Sequence, residues 1–254
     1  MKKLVKILLV LSLLFYFAPT VPVNAQTKTV IGVSTVYEQR ATTVEFSIFI
    51  DSMEEVAAGS FDLEYDPELL TVNERNVSVG ESVGNYLTSV NAASAGNISF
   101  AFAKSEGQKF EGDTLLTIKA TVRKSNMQNN LKLNNVHILT KDGKDVSKQI
   151  IDGAIKPFDG ETKNYSKKEK AGKEWHIKLS KPYDPATLNH YAVTVRTSTK
   201  IMEIKITPVT EDTFKVTPIT PYARGNYTIE VTEQLHSANG TKLNKPIRQT
   251  FTVE

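Results

Sequence analysis

Apolar and polar residues alternate with a period of two along most of this chain. Val44, Phe46, Ile48 and Ile50 alternate with Thr43, Glu45, Ser47 and Phe49. Phe61, Leu63 and Tyr65 alternate with Ser60, Asp62 and Glu64; Ile98, Phe100 and Phe102 with Ser99, Ala101 and Ala103; Leu116, Ile118, Ala120 and Val122 with Thr117, Lys119, Thr121 and Arg123. Successive side chains of a strand point to opposite faces, so each run predicts a strand with one face toward a core. Asp66-Pro67, Gly84-Asn85, Gly96-Asn97, Glu111-Gly112-Asp113 and Lys141-Asp142-Gly143 supply turns between the runs. Many short strands separated by turns predict a β-sandwich.

The pattern resumes further along. Trp175, Ile177 and Leu179 alternate, as do Met202, Ile204 and Ile206, then Tyr227, Ile229 and Val231, then Phe251 and Val253. Trp175 reads as a core residue on this spacing. Pro157, Asp159-Gly160 and the polar run Thr162 to Lys170 interrupt the apolar pattern between the two regions. The expected division is a leader at 1–25, a sandwich at 26–156, a linker at 157–172 and a smaller sandwich at 173–254. No long amphipathic helix is predicted in either part.

The leader is expected because Lys2, Lys3 and Lys6 precede an apolar stretch, Ile7 to Ala18, too short for a comfortable membrane span, and Val23-Asn24-Ala25 offers a small-residue cleavage site. Secretion follows as the expectation, with the protein extracellular or associated with the cell wall and no membrane contact once the leader is removed. The chain has 254 residues and a formal charge of +3. All of that excess lies in the leader, since residues 26–254 hold 28 basic and 28 acidic groups. This balance excludes a nucleic-acid partner of the usual basic kind. Charge is nevertheless unequal along the chain, −4 over 26–156 and +4 over 157–254.

Candidate chemistry is sparse. The absence of Cys excludes disulfides, thiolate metal sites and Cys nucleophiles. His137, His176, His190 and His236 are scattered, and neither a Gly-x-Ser-x-Gly elbow nor a Gly-rich phosphate loop occurs. Asp142-Gly143-Lys144-Asp145 lacks the spaced oxygen ligands of a calcium loop and reads as a tight turn. No enzyme, no catalytic residue, no metal site and no cofactor are therefore expected. Ser99, Ala101 and Ala103 stand out for another reason. They face outward beside an aromatic core face, yet two are small and apolar, which makes a flat patch another surface can approach closely. The competing reading places Ala101 and Ala103 beneath a loop or the second sandwich.

Residues 28–156 resemble a cohesin domain. The matching stretches are Gly59-Ser60-Phe61-Asp62-Leu63-Glu64-Tyr65-Asp66-Pro67-Glu68-Leu69-Leu70, Gly96-Asn97-Ile98-Ser99-Phe100-Ala101-Phe102-Ala103, Gly112-Asp113-Thr114-Leu115-Leu116-Thr117-Ile118-Lys119-Ala120-Thr121-Val122, and Ile151-Asp152-Gly153-Ala154-Ile155. Residues 160–254 resemble, more loosely, an immunoglobulin-like domain of bacterial surface and S-layer proteins, through Trp175 to Leu188, Gly225 to Val231, Ser237 to Leu243 and Phe251 to Val253. Together these resemblances imply an all-β chain: a nine-stranded jelly-roll sandwich followed by a smaller immunoglobulin-like sandwich.

The cohesin resemblance implies a non-catalytic receptor for a dockerin-like module of another protein, with calcium held by that partner. Carried over by position, the family's recognition face falls on Ala58, Ser60, Asp62, Ala92, Ser99, Ala101, Ala103, Lys104 and Asp145. Ala58, Ser60 and Ala92 stand where the family has polar or tyrosine anchors, and Lys104 where an acid is common. The second sandwich is then a spacer. The alternative expectation is direct binding of polysaccharide or cell wall, for which Phe49, Tyr86 and Phe110 are the candidate stacking aromatics.

Overall fold

The computed structural model describes residues 28–37 and 43–254, so the expected leader lies outside the described residues. Eleven strands occupy the first region: β1 (Thr29–Val33), β2 (Val36–Tyr37), β3 (Thr43–Asp51), β4 (Val56–Glu64), β5 (Leu70–Val79), β6 (Leu87–Asn91), β7 (Asn97–Gln108), β8 (Glu111–Val122), β9 (Asn129–Leu139), β10 (Lys148–Ile151) and β11 (Gly153–Lys156). Eight follow: β12 (Glu161–Lys163), β13 (Lys168–Glu169), β14 (Trp175–Lys178), β15 (Val193–Arg196), β16 (Ile204–Thr210), β17 (Thr213–Pro218), β18 (Gly225–Val231) and β19 (Ile247–Val253). Helix among the described residues is confined to two short 3-10 turns, Glu81–Val83 and Pro185–Thr187. The chain is all-β, and no described helix is long and apolar enough to cross a membrane.

The first eleven strands form two sheets, β10-β1-β3-β8-β5 and β2-β11-β9-β4-β7-β6. Eleven segments appear where nine were expected because two stretches serve both sheets. The chain leaves the first sheet after β1 and joins the second as β2; it does the same between β10 and β11. The inward residues of the alternating runs meet between the sheets. Phe46, Ile48, Ile50, Phe61, Leu63, Ile98, Phe100, Leu116 and Ile118 all belong to one buried cluster. Each such side chain contributes about 1.5–3 kcal/mol through the apolar surface it removes from water.

The remaining strands form a second pair of sheets, β12-β19-β18-β15, with β13 also paired to β19, and β14-β17-β16. They enclose a separate core that includes Trp175, Phe214, Tyr227 and Phe251. Residues 157–172, read as a linker, instead carry β12 and β13, each paired in parallel with β19. Backbone hydrogen bonds to an edge require no apolar side chains, so a wholly polar stretch can join a sheet without an alternating signature.

The two pairs of sheets are in contact. Strand β3 is buried on both faces, although Glu45, Ser47 and Phe49 point away from its own core. Val30, Phe49 and Ile151 pack with Tyr191 of the second pair in a small buried cluster. The His190 ring stacks on Phe49 with centroids 5.5 Å apart. The Ile201 N–H donates to the Glu45 carboxylate at 3.0 Å. Tyr37 and Lys156 both donate to Glu233. The second pair thereby covers the part of the five-stranded sheet's outer face that β1 and β3 build, while the outward residues of β8 and β5, such as Thr121 and Thr71, stay exposed.

Candidate functional site

The outer face of the six-stranded sheet is organised by register. Directly opposed residues of antiparallel strands share a face, so pairing alone defines its rows. Leu87, Ala103, Ala58 and Leu139 form one row across β6, β7, β4 and β9. Ser89, Ala101, Ser60 and His137 form the next, and Asn91, Ser99, Asp62 and Asn134 the third. The surface thus grades from apolar to hydrogen-bonding within three rows. Its floor is shallow because Ala101, Ala103, Ala58 and Ser60 are small. Phe100, Phe102 and Phe61 anchor the same strands from beneath.

Ala101 and Ala103 are exposed, which decides against their lying under a loop or the second pair of sheets. Leu87 is 84% exposed at the edge of the apolar row. A shallow depression of about 240 Å³ lies over the polar rows, lined in part by Ser60, Asp62, Ser99, Asn135 and His137.

Asp62 is held in place on this face. The Ser99 hydroxyl donates to its Oδ1 at 2.5 Å, and the Asn135 amide donates to its Oδ2 at 2.7 Å. The Asn97 amide in turn donates to Ser99 Oγ at 3.2 Å. The hydrogen bonds from Asn135 and Ser99 hold the Asp62 carboxyl below its ordinary range, so it stays an anion. Asn135 reaches it because β9 bulges: between the partners of Ser60 and Asp62 the register slips, and Asn135 adopts φ 51°. A bulge re-aims a side chain, and Asn tolerates the left-handed region better than most residues.

The remaining site residues divide. Asp145 stands outside the rows, in the turn that closes β9. It accepts from the Ile138 N–H at 3.2 Å and from Lys148 Nζ at 2.6 Å, and His137 Nδ1 lies 3.9 Å away. Lys148 keeps the Asp145 carboxyl below its ordinary range. Asp145 borders the face through His137. Lys104 sits where β7 departs from β4, since Ala58 pairs with Ala103 but Val56 pairs with Gln108. Its ammonium lies over the Tyr86 ring, 5.4 Å from the centroid.

Ala92 corrects the expectation. It is 9% exposed and belongs to the main core. Alternation along β6 sends Leu87, Ser89 and Asn91 outward and leaves Ala92 pointing in. Leu87, Ser89, Asn91, Asn135 and His137 were missed. The Leu87 to Asn91 stretch carries too few apolar residues to announce a strand, and Asn135 is placed by a bulge.

The aromatics proposed for sugar stacking are likewise corrected. Phe49, Tyr86 and Phe110 are 6%, 6% and 0% exposed. Phe49 lies under Tyr191, and Tyr86 and Phe110 pack with Phe102 in the main core. No group of three or more His, Asp or Glu among the described residues is arranged to hold a metal ion.

The family profile described as "Cohesin domain" matches residues 27–156. No curated protein matches the chain. Among solved structures, the chain is similar to a non-cellulosomal cohesin from the hyperthermophilic archaeon Archaeoglobus fulgidus, at 22% identity over 50% of this chain and 89% of that one, with a TM-score of 0.45. It is also similar to CaCohA2 from Clostridium acetobutylicum, at 19% identity over 51% of this chain and 90% of that one, with a TM-score of 0.42. A third is a chain of the type I cohesin–dockerin complex Coh-OlpA-Doc918 from Clostridium thermocellum, at 17% identity over 52% of this chain and 99% of that one, with a TM-score of 0.45.

Proposed function

Because the chain belongs to the cohesin family, whose domains bind rather than catalyse, we propose that it is a non-catalytic receptor for a dockerin-like module of another extracellular protein. The receptor surface is the outer face of the six-stranded sheet, with Ala101 and Ala103 at its centre. Ser60, Asp62, Ser99 and Ala58 surround them, and Leu87, Asn91, Asn135 and His137 join them by register. Lys104 and Asp145 flank the contact.

One observation carries this reading: the sheet that the second pair does not cover presents a flat face whose central residues are small and exposed. Close approach across such a floor lets a partner bury its own larger side chains, and a few such anchors dominate an interface. Asp62, held as an anion, supplies a fixed acceptor for a donor on the partner. In this reading residues 173–254, with the strands at 161–169, form an immunoglobulin-like sandwich that acts as a spacer. The protein is secreted after loss of residues 1–25 and has no enzymatic activity. Calcium belongs to the partner.

The test is a pull-down from secreted and wall fractions with residues 26–254 as bait, with and without calcium. A calcium-dependent partner carrying a duplicated Asp-rich loop supports the receptor reading. Retention of that partner undiminished by Ala101→Arg would exclude this face.

A further inference from the structure

A second concavity lies in the other half of the chain, on the outer face of the β15-β18-β19 sheet. It encloses about 470 Å³. Its floor is built by cross-strand pairs: Thr228 opposes Thr250, and Asn226 opposes Thr252. The Thr252 hydroxyl donates to Asn226 Oδ1 at 2.8 Å, which orients that pair. Thr250 and Asn226 are exposed. Hydroxyls and amides arrayed on a rigid sheet both donate and accept, as recognition of a sugar requires.

The charged residues of the lining are Arg196, Arg248 and Glu230. Arg196 opposes Thr228 across β15 and β18, and Glu230 opposes Arg248 across β18 and β19. Arg196 is 8% exposed and Glu230 1% exposed. Arg248 is positioned by Glu230 at 3.7 Å and by the Phe158 ring, 3.4 Å from its centroid. The lining thus carries two guanidinium groups and one carboxylate, within a half of the chain whose formal charge is +4. Tyr37 and Tyr165 supply aromatic wall at its margin.

From this geometry we propose that the trough binds an anionic sugar chain, one bearing carboxylate or phosphate groups. The hydroxyl and amide floor meets the sugar hydroxyls, and the arginine end meets the negative charge. The site is separate from the face that carries Ala101 and does not depend on the dockerin reading.

The test uses the full chain in affinity electrophoresis against polygalacturonate, wall teichoic acid and neutral xylan. At least one acidic polymer should be retained and xylan should not. Retention should weaken as salt rises from about 0.01 to about 0.15 M, where charge contacts are increasingly screened. Thr250→Trp fills the trough from an exposed position and should lower affinity by about tenfold or more with an unchanged melting temperature, whereas Ala101→Arg should leave it unaltered. Polygalacturonate and teichoic acid separate the carboxylate from the phosphate source. Failure to retain either acid polymer, equal retention of xylan, or full retention by folded Thr250→Trp would overturn the proposal.

Discussion

The Tyr191 hydroxyl donates a 2.5 Å hydrogen bond to the main-chain carbonyl of Phe49, 142 residues earlier in the chain. The bond is buried, and the Tyr191 ring itself packs on Phe49, Val30 and Ile151. It joins the two pairs of sheets on the side of the first sandwich opposite the proposed receptor face.

Tyr191→Ala should therefore uncouple the halves. Losing a buried aromatic ring costs about 3–5 kcal/mol, and the Phe49 carbonyl loses its donor as well. Calorimetry should show one cooperative transition for the natural chain and two for the variant. Tyr191→Phe keeps the ring and should cost only about 1 kcal/mol. Gly112→Ala attacks the same contact from the other side, because its φ is +73° and an added Cβ would lie 2.3 Å from the His190 ring. A single unsplit transition in Tyr191→Ala would mean that the other contacts suffice to couple the halves.

Ala101→Arg and Ala103→Arg place a long cation on the flat floor. Both positions are exposed, so melting behaviour should stay within about 0.5 kcal/mol of the natural chain. Partner affinity should fall by more than about 100-fold, since a charge must be buried without a mate or the surfaces held apart. Isothermal titration with the isolated partner measures both variants.

Asn135→Ala removes the largest of the side-chain hydrogen bonds that hold Asp62 down, those of Asn135, Ser99 and Asn97. The Asp62 carboxyl should then titrate closer to its ordinary 3.8, as followed by carboxyl-carbon resonance against pH. The sign of the linkage follows. A lowered folded pKa adds stability that is complete above the unfolded value and is lost as pH falls through the folded one. Asn135→Ala should thus be less stable than the natural chain above about pH 4, with the gap narrowing in stronger acid to the pH-independent cost of Ala in the left-handed region. An unmoved Asp62 titration would mean that Ser99 and Asn97 suffice to fix the carboxylate.

Asp51 has the opposite sign. Burial, with Glu111 and Asp113 nearby, pushes its carboxyl up from 3.8 to about 6. The folded chain holds a proton there that the unfolded chain has released, so stability falls as pH rises from about 4 through about 6. Asp51→Asn should flatten that decline, by at most about 3 kcal/mol. Glu45, also raised by burial, should leave a residual slope. Denaturant unfolding at pH 4 and pH 7 measures both; an unchanged difference between the two pH values would assign the decline elsewhere.

Much of the first sandwich was legible because its periodicity is local. Phe46 with Ile48, Phe61 with Leu63, and Phe100 with Phe102 declare their inward face within a few residues, and the outward exposure of Ala101 and Ala103 follows from the same alternation. Ala92 could not be placed this way, since the strand just before it carries mostly polar residues and an error of one position reverses a side chain's face. Asn135 could not be placed either, because a bulge belongs to a pair of strands.

By itself, the amino-acid sequence determined that the chain builds sheets, which residues of each strong run turn inward, and that no cysteine chemistry takes part. Only the tertiary structure decided the rest. It placed Leu87, Ala103, Ala58 and Leu139 in one row, brought the Asn135 amide to Asp62, and buried Phe49 under Tyr191. It also drew the polar segments at 161–163 and 168–169 into a sheet edge. Alternation is set by local backbone geometry and can be read residue by residue. Register, bulges and docking are set by partners far apart in the chain, where backbone pairing and burial against a distant surface outweigh what any short stretch prefers.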